Sequence, residues 1–246
     1  MRFFTPCIFF ILSVMGDCVA QLADAKAITS ENENVPSYPL SLYKAATVDA
    51  QNLYNGRLYY IYDSQEEEFQ FFDSRKLVKG TVYYDGQRYE DIPMMYDIVR
   101  DELIITHANG YENILLQSPK VKYFSLHDHN FKRFESGQGI NADMKTGFYD
   151  QVYMGKTKIL VRRTKQRQEK IVEKKVIALF PDKNFFYVFK DGKYHSVHSK
   201  KSLFALFPEQ KRELRKELRE QKIKFRKNRE KAIVAMVARY DELTKP

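Results

Sequence analysis

Two histidines one residue apart are the first candidates for chemistry in this chain of 246 residues. His127 and His129 flank Asp128, and residues two apart on a strand point to the same face. Both imidazoles could therefore share one metal ion, with His107 or a carboxylate as a third ligand. The competing interpretation is a polar, solvated turn between two strands. We expect no cofactor, and His127 and His129 are the candidate ligands if a metal binds.

Acid–base catalysis by carboxylates is the second chemistry that the chain could support. Asp97, Asp101 and Glu102 are close in sequence, but Asp97 and Asp101 flank a strand end and also suit a turn. The chain lacks the G-x-S-x-G and H-E-x-x-H motifs of hydrolases, and it has no Trp to stack on a sugar. We therefore expect a protein that is not an enzyme, with a carboxylate hydrolase as the alternative.

Two further patterns predict no site. Residues 137–142 match G-x-G-x-x-A, but an aromatic strand follows within a few residues and leaves no room for the helix of a dinucleotide fingerprint. His195 and His198 are three apart, which suits a helix, yet they lie in a strand-like pattern. We expect a loop at 137–142 and two surface histidines on opposite sides of a strand.

Clustered positive charge indicates an anionic partner. Residues 162–167 carry four positive charges in six positions, and residues 208–246 contain thirteen Lys plus Arg against seven Asp plus Glu, a net of +6. The whole chain has 41 Lys plus Arg against 32 Asp plus Glu, a net charge of +9. For the C-terminal stretch, the alternative is a charged helix face that contacts only water. The candidate contacts with an anion or a partner are Arg162, Arg163, Lys165, Arg167, Lys211, Arg215, Arg219 and Arg226.

The N-terminus predicts export, which changes the nature of that partner. Residues 1–20 combine a positive start, an apolar run at 3–15 and small residues before a cut after Ala20, the pattern of a secretory signal peptide. An uncleaved anchor or a buried helix is the alternative, although the run is shorter than the roughly 20 residues that span a membrane. The only two cysteines, Cys7 and Cys18, lie inside the signal, so we expect neither disulfides nor thiol chemistry in the mature chain.

The organisation expected behind the signal is a flexible leader at 21–47 and one β-rich domain at 48–246, with helices from about 200. Asp-Gly and Asn-Gly pairs at 85–86, 109–110 and 191–192 predict hairpin turns. Such a series of short strands predicts an antiparallel sheet in the form of a sandwich or an open barrel. The predicted strands span residues 57–62, 81–84, 87–89, 92–99, 102–106, 111–116, 121–126, 148–154, 157–163, 185–189 and 194–197.

One stretch, 164–179, leaves its secondary structure open. Its Lys, Gln and Glu favour a helix, whereas its β-branched residues also allow a strand. Farther on, residues 203–207 predict a short apolar turn, Pro208 suits the first position of a new helix, and Asn228 suits the cap of a last one. The predicted fold is therefore α+β, an antiparallel β-sheet body followed by a C-terminal helical hairpin.

Several stretches together carry a family resemblance: GTVYYDGQRY at 80–89, IPMMYDI at 92–98, GFYD at 147–150, GKTKIL at 155–160 and FRKNREKA at 225–232. They resemble a set of uncharacterised exported proteins of Gram-negative bacteria, and the resemblance covers most of residues 50–243. It implies export and a single β-rich unit with a helical end, and it implies no activity and no site residues.

Location and charge together give the expected function. We expect a non-enzymatic binding or structural accessory of the periplasm, the cell envelope or the extracellular space. Its expected partner is an acidic envelope component or an acidic protein. A nucleic-acid partner is expected only if the signal peptide is misinterpreted.

Overall fold

Antiparallel strands dominate the computed structural model, which describes residues 52–62 and 68–244 of the chain. These residues belong to one unit, Asp49–Pro246. The predicted signal peptide at 1–20, with both cysteines, and the predicted leader at 21–47 lie outside the described residues.

Eleven strands form one open sheet, and two more form a separate hairpin. The strands are β1 (Arg57–Leu58), β2 (Val78–Tyr84), β3 (Gln87–Asp97), β4 (Glu102–Thr106), β5 (Asn113–Leu115), β6 (Val121–Leu126), β7 (His129–Phe134), β8 (Gly147–Met154), β9 (Lys158–Arg162), β10 (Gln168–Val172), β11 (Lys175–Leu179), β12 (Phe185–Lys190) and β13 (Lys193–Ser196). The order in the sheet is β1-β5-β4-β3-β2-β6-β7-β8-β9-β12-β13, and every neighbouring pair is antiparallel. The predicted α+β class with an antiparallel body is confirmed.

The residues at the turns explain why strands that follow one another along the chain pair in the sheet. Asp85-Gly86 has φ values of 49° and 90°, and Asp191-Gly192 has 51° and 80°, so both central residues have the positive φ of a type I′ hairpin. At Asn109-Gly110 only the glycine has a positive φ, of 78°. There the Asn109 side-chain oxygen instead accepts hydrogen bonds from the backbone N–H groups of Tyr111 and Glu112. The chain therefore turns at this third pair as predicted, but by a different geometry.

The ambiguous segment 164–179 is a β-hairpin, β10–β11, that pairs with no strand of the main sheet. It turns at Glu173-Lys174, which have positive φ values of 50° and 66°. Ile171 lies directly opposite Val176 across the two strands. Pairing between β-branched side chains stabilises this arrangement, and it depends on a partner strand that helix propensity does not take into account.

Three helices follow the sheet: α1 (Lys200–Leu206), α2 (Lys211–Glu220) and α3 (Arg229–Leu243). Two sequence expectations are wrong here. Most of the apolar residues at 203–207 belong to α1, because Ser199 and Ser202 form a capping box that starts a helix before them. Pro208 lies in a turn, and α2 begins only at Lys211. Asn228 does precede α3 as predicted, but its side chain makes no capping hydrogen bond.

Two large apolar clusters hold the unit together. One lies on the β2–β8 part of the sheet, where the rings of Tyr96, Phe124 and Phe131 contact one another at centroid distances of 4.8–5.1 Å. The other joins β9 and β12 to all three helices, with Val161 and Met236 among its fully buried members. The helices therefore pack on the β9–β12 end of the sheet. No helix within residues 52–62 and 68–244 has the length and apolar character needed to cross a membrane.

Candidate anion-binding site

A basic cleft lies at the foot of the β10–β11 hairpin and has a volume of about 450 Å³. Backbone hydrogen bonds close this foot, from Gln166 N to the Pro181 carbonyl oxygen at 3.1 Å and from Lys183 N to the Thr164 carbonyl oxygen at 2.8 Å. The cleft is lined by Val99, Asp143, Lys145, Arg162, Thr164, Lys165, Gln166, Arg167, Lys183, Phe185 and Tyr187. Five of these side chains are cationic and only one is acidic, so the lining has a formal charge of +4 (five minus one).

Arg162, at the end of β9, has a hydrogen-bonding donor to spare. Its Nη2 lies 3.7 Å from Asp101 Oδ2, but its buried Nη1 has no hydrogen-bond partner among the described residues. Asp101 is also held by the Tyr96 hydroxyl and by the Phe148 backbone N–H. Burial raises the pKa of Asp101, and the Tyr96 hydrogen bond and Arg162 oppose that rise. An unpaired buried donor is unfavourable by about 1–3 kcal/mol.

The other cations of the cleft differ in how firmly the protein holds them. Lys165 Nζ donates to the Phe69 carbonyl oxygen at 2.8 Å, and burial lowers the pKa of this lysine. Arg167 pairs with Glu169 at 2.7 Å, and Lys183 Nζ donates to the Gln166 side-chain oxygen at 3.3 Å. The exposed Lys145 ammonium has no such partner within residues 52–62 and 68–244. Lys145 and Lys183 are therefore two exposed cations that a ligand could engage without breaking an ion pair in the protein.

Arg163 lies outside the cleft, although it belongs to the same run of charge. Successive residues of a strand point to opposite faces, so Arg162 enters the cleft while Arg163 turns away. Its guanidinium donates to Asp150 Oδ2 at 2.9 and 2.5 Å and to both carboxylate oxygens of Glu230 on α3. Arg163 is only 8% exposed and Asp150 only 1%. This residue joins the sheet to the last helix instead of contacting an external anion.

The candidate metal ligands contact different carboxylates of the protein. His127 and Asp128 have positive φ values of 49° and 62°, so they form a turn and not the strand that the metal hypothesis requires. His127 Nδ1 lies 3.5 Å from Asp73 Oδ2, and His129 Nδ1 lies 2.7 Å from Asp150 Oδ2. Within residues 52–62 and 68–244, no group of three or more His, Cys, Asp or Glu side chains could hold a metal.

The remaining histidines and the glycine-rich motif lie apart from the cleft. The His107 ring packs edge-on against Tyr54 at 5.5 Å. His195 is half-buried in β13, and His198 is exposed beyond its end. The segment 137–142 is a loop, as predicted, with positive φ at both of its glycines.

Asp97 and Asp101, two of the carboxylates considered for catalysis, accept hydrogen bonds within the protein. Asp97 is fully buried and accepts hydrogen bonds from the hydroxyls of Tyr59 at 3.0 Å and Tyr62 at 2.9 Å. Its second oxygen accepts from the backbone N–H groups of Val99 and Arg100. A carboxylate surrounded by donors in this way holds a turn and has no access to a substrate.

The candidate contacts of the C-terminal region lie on α2 or in the turn after it, and none of them lines the cleft. Lys211 and Arg215 line one groove at α1 and α2, and Arg215 and Arg219 line a second. Arg226 is exposed in the turn between α2 and α3 and lines neither groove.

Sequence reasoning missed two of the five cations of the cleft. Lys145, Lys183 and Tyr187 are isolated in the sequence and join Arg162 only because the loop before β8 and the start of β12 meet beside β9. A search for runs of charge could not find them. Comparison of the chain with protein-family models, with curated proteins and with solved structures finds no significant match. The resemblance to exported proteins of Gram-negative bacteria stays a prediction.

Proposed function

We propose that this chain is an exported binding protein of the cell envelope that holds an anionic ligand in the basic cleft, without catalysis. The observation that carries the proposal is the excess of five cations over one carboxylate around a cleft of about 450 Å³. That volume lies within the range of about 300–1,000 Å³ typical of small-ligand sites. The N-terminal signal pattern supports the envelope location.

The chemistry of the lining favours phosphate over a single carboxylate. Arginine and lysine donors make short, charge-assisted hydrogen bonds to phosphate oxygens, and several donors can share one phosphate group. Phe185 and Tyr187 add an aromatic wall to the same cleft. The expected ligand therefore carries a phosphate or diphosphate together with an apolar or planar part.

Isothermal titration with inorganic pyrophosphate tests the proposal. We expect Lys145→Gln and Lys183→Gln each to weaken binding by about tenfold, since a hydrogen bond to a charged group contributes about 1.5 kcal/mol or more. Lys193→Gln is the matched control, because Lys193 is exposed in β13 and does not line the cleft.

Two outcomes would contradict the proposal. Equal weakening by all three variants would mean that binding responds to net charge and not to the cleft. Hydrolysis of pyrophosphate during the titration, followed by phosphorus NMR, would favour the alternative of an envelope hydrolase.

A further inference from the structure

A second basic surface lies on the helices and is independent of the cleft. Two grooves of about 580 and 370 Å³ adjoin there and share Lys200 and Arg215. We define the basic helix track as the seven cations that line them, Lys200, Lys201, Lys211, Arg215, Arg219, Lys222 and Lys224. All seven are exposed, and neither groove has an acidic residue in its lining.

The acidic side of α2 faces a different direction. Glu217 turns toward α3, where its carboxylate lies 3.8 Å from Arg239. Lys216 and Glu220 pair with each other at 3.8 Å and line neither groove. The charges of α2 are thus sorted, because Glu217 and Glu220 pair with cations of the protein while the track cations face solvent. On a helix face that contacts only water, no interaction would separate the acidic side chains from the basic ones.

The spacing of the track fits a linear polyanion. Lys211, Arg215 and Arg219 follow one another at four-residue intervals on α2, so they form a straight row with a repeat of about 6 Å. An extended phosphodiester chain presents one negative charge per repeat at a comparable distance. Because these side chains line grooves, a chain lying in the grooves would contact more of them than a flat bilayer surface would.

Phe204 lines one of the two grooves, but its ring is too buried to stack on a base. Phe204 is only 7% exposed, and three track cations lie over its ring, Lys200 at 5.5 Å, Lys211 at 5.9 Å and Arg215 at 5.3 Å. Proteins that bind single-stranded nucleic acid combine a basic groove with aromatic faces open to bases. The track has the basic groove and lacks the open aromatic face.

From these observations we propose that the basic helix track binds a linear, phosphodiester-linked polyanion that carries no bases. A phosphate-bearing envelope polymer has this chemistry. The expected contacts are ionic and repeated along α2. Affinity should therefore increase with polymer length and decrease steeply with salt.

Fluorescence anisotropy on the full chain tests the proposal with two probes of equal length, an abasic deoxyribose-phosphate oligomer and oligothymidylate. We expect equal affinity for both, because bases find no partner in the track. The slope of log K against log salt should be near −3, which corresponds to about four phosphate contacts at −0.7 each. Arg215→Gln and Lys211→Gln should each weaken binding about fivefold, the upper range for an exposed charge pair.

Matched controls separate the track from general charge effects. Lys216→Gln makes the same change on the same helix outside the grooves and should leave affinity unchanged, and so should Lys193→Gln on β13. Much tighter binding of oligothymidylate than of the abasic oligomer would overturn the proposal in favour of a nucleic-acid binder. Equal weakening by Lys216→Gln, or absence of binding at low salt, would also overturn it.

Discussion

The ion-pair cluster of Arg163 offers the sharpest test of what joins the sheet to the last helix. Its guanidinium makes four hydrogen bonds to two carboxylates, Asp150 on β8 and Glu230 on α3. Arg163→Met keeps an unbranched apolar stem and removes every donor. Asp150 then keeps His129 as its one side-chain partner among residues 52–62 and 68–244.

The burial of the two carboxylates determines how much the free energy of unfolding should fall in Arg163→Met. Breaking a buried ion pair by removing one partner destabilises a protein by about 3–5 kcal/mol, because a charge stays buried without compensation. Asp150 is 1% exposed, whereas the Glu230 side chain is 32% exposed and can regain water. The loss of unfolding free energy should therefore lie near the lower end of this range, at about 3 kcal/mol. Replacing Asp150 by Asn in the same variant should recover part of it, since the uncompensated charge is gone.

Urea unfolding followed by far-ultraviolet circular dichroism measures this loss, because the chain has no Trp to report by fluorescence. With a slope of about 2–3 kcal/mol/M, the midpoint should fall by about 1 M. Arg88→Met is the control, since Arg88 and Glu90 form an ion pair with both side chains about 60% exposed, and such pairs contribute about 1 kcal/mol or less. Equal midpoint shifts for Arg163→Met and Arg88→Met would refute the reasoning.

Two further predictions concern contacts between distant parts of the chain. The hydrogen bond with Asp150 raises the pKa of His129 above its ordinary 6.5, so its contribution to stability is complete below that pH and is lost as the pH rises through the folded-state pKa. His129→Gln should therefore flatten the decline of the urea midpoint as the pH rises above 6.5, and parallel declines would contradict this assignment. Asp241 on α3 accepts hydrogen bonds from the Thr157 backbone N–H at 2.9 Å and the Tyr153 hydroxyl at 3.1 Å. Asp241→Ala should lower the free energy of unfolding by about 2 kcal/mol, because a buried N–H loses its acceptor. Asp241→Asn, which keeps one oxygen, should lose less, and equal losses would show that the backbone contact contributes nothing.

Local patterns predicted the fold class correctly. Alternating aromatic residues and the Asp85-Gly86 and Asp191-Gly192 turns act over a few residues, so their effect can be inferred without knowing the rest of the molecule. The errors lie where neighbouring preferences compete. Pro208 suits the start of a helix, but the capping box at Ser199 starts one before it, and α2 begins only at Lys211.

For the candidate site, the composition and the positive residues at 162–167 predicted an anionic ligand. The sequence did not show which of these residues faces a ligand and which forms an ion pair inside the protein. Strand geometry divides it, because Arg162 faces the cleft while Arg163 is enclosed by Asp150 and Glu230. Which carboxylate contacts which guanidinium depends on how β8 pairs with β9 and how α3 packs on them. Local sequence patterns do not predict these contacts.

The sequence by itself determined that this chain forms antiparallel strands followed by helices, and that it carries an excess of positive charge in two regions. Period-two alternation, turn residues and charge are properties of neighbours along the chain. Only the tertiary structure decided that Lys145 and Lys183 join Arg162 around a cleft, and that the cations of α2 face solvent while Glu217 faces Arg239. Those outcomes depend on contacts between residues far apart in sequence, which exist only when the sheet has formed and the helices have packed on it.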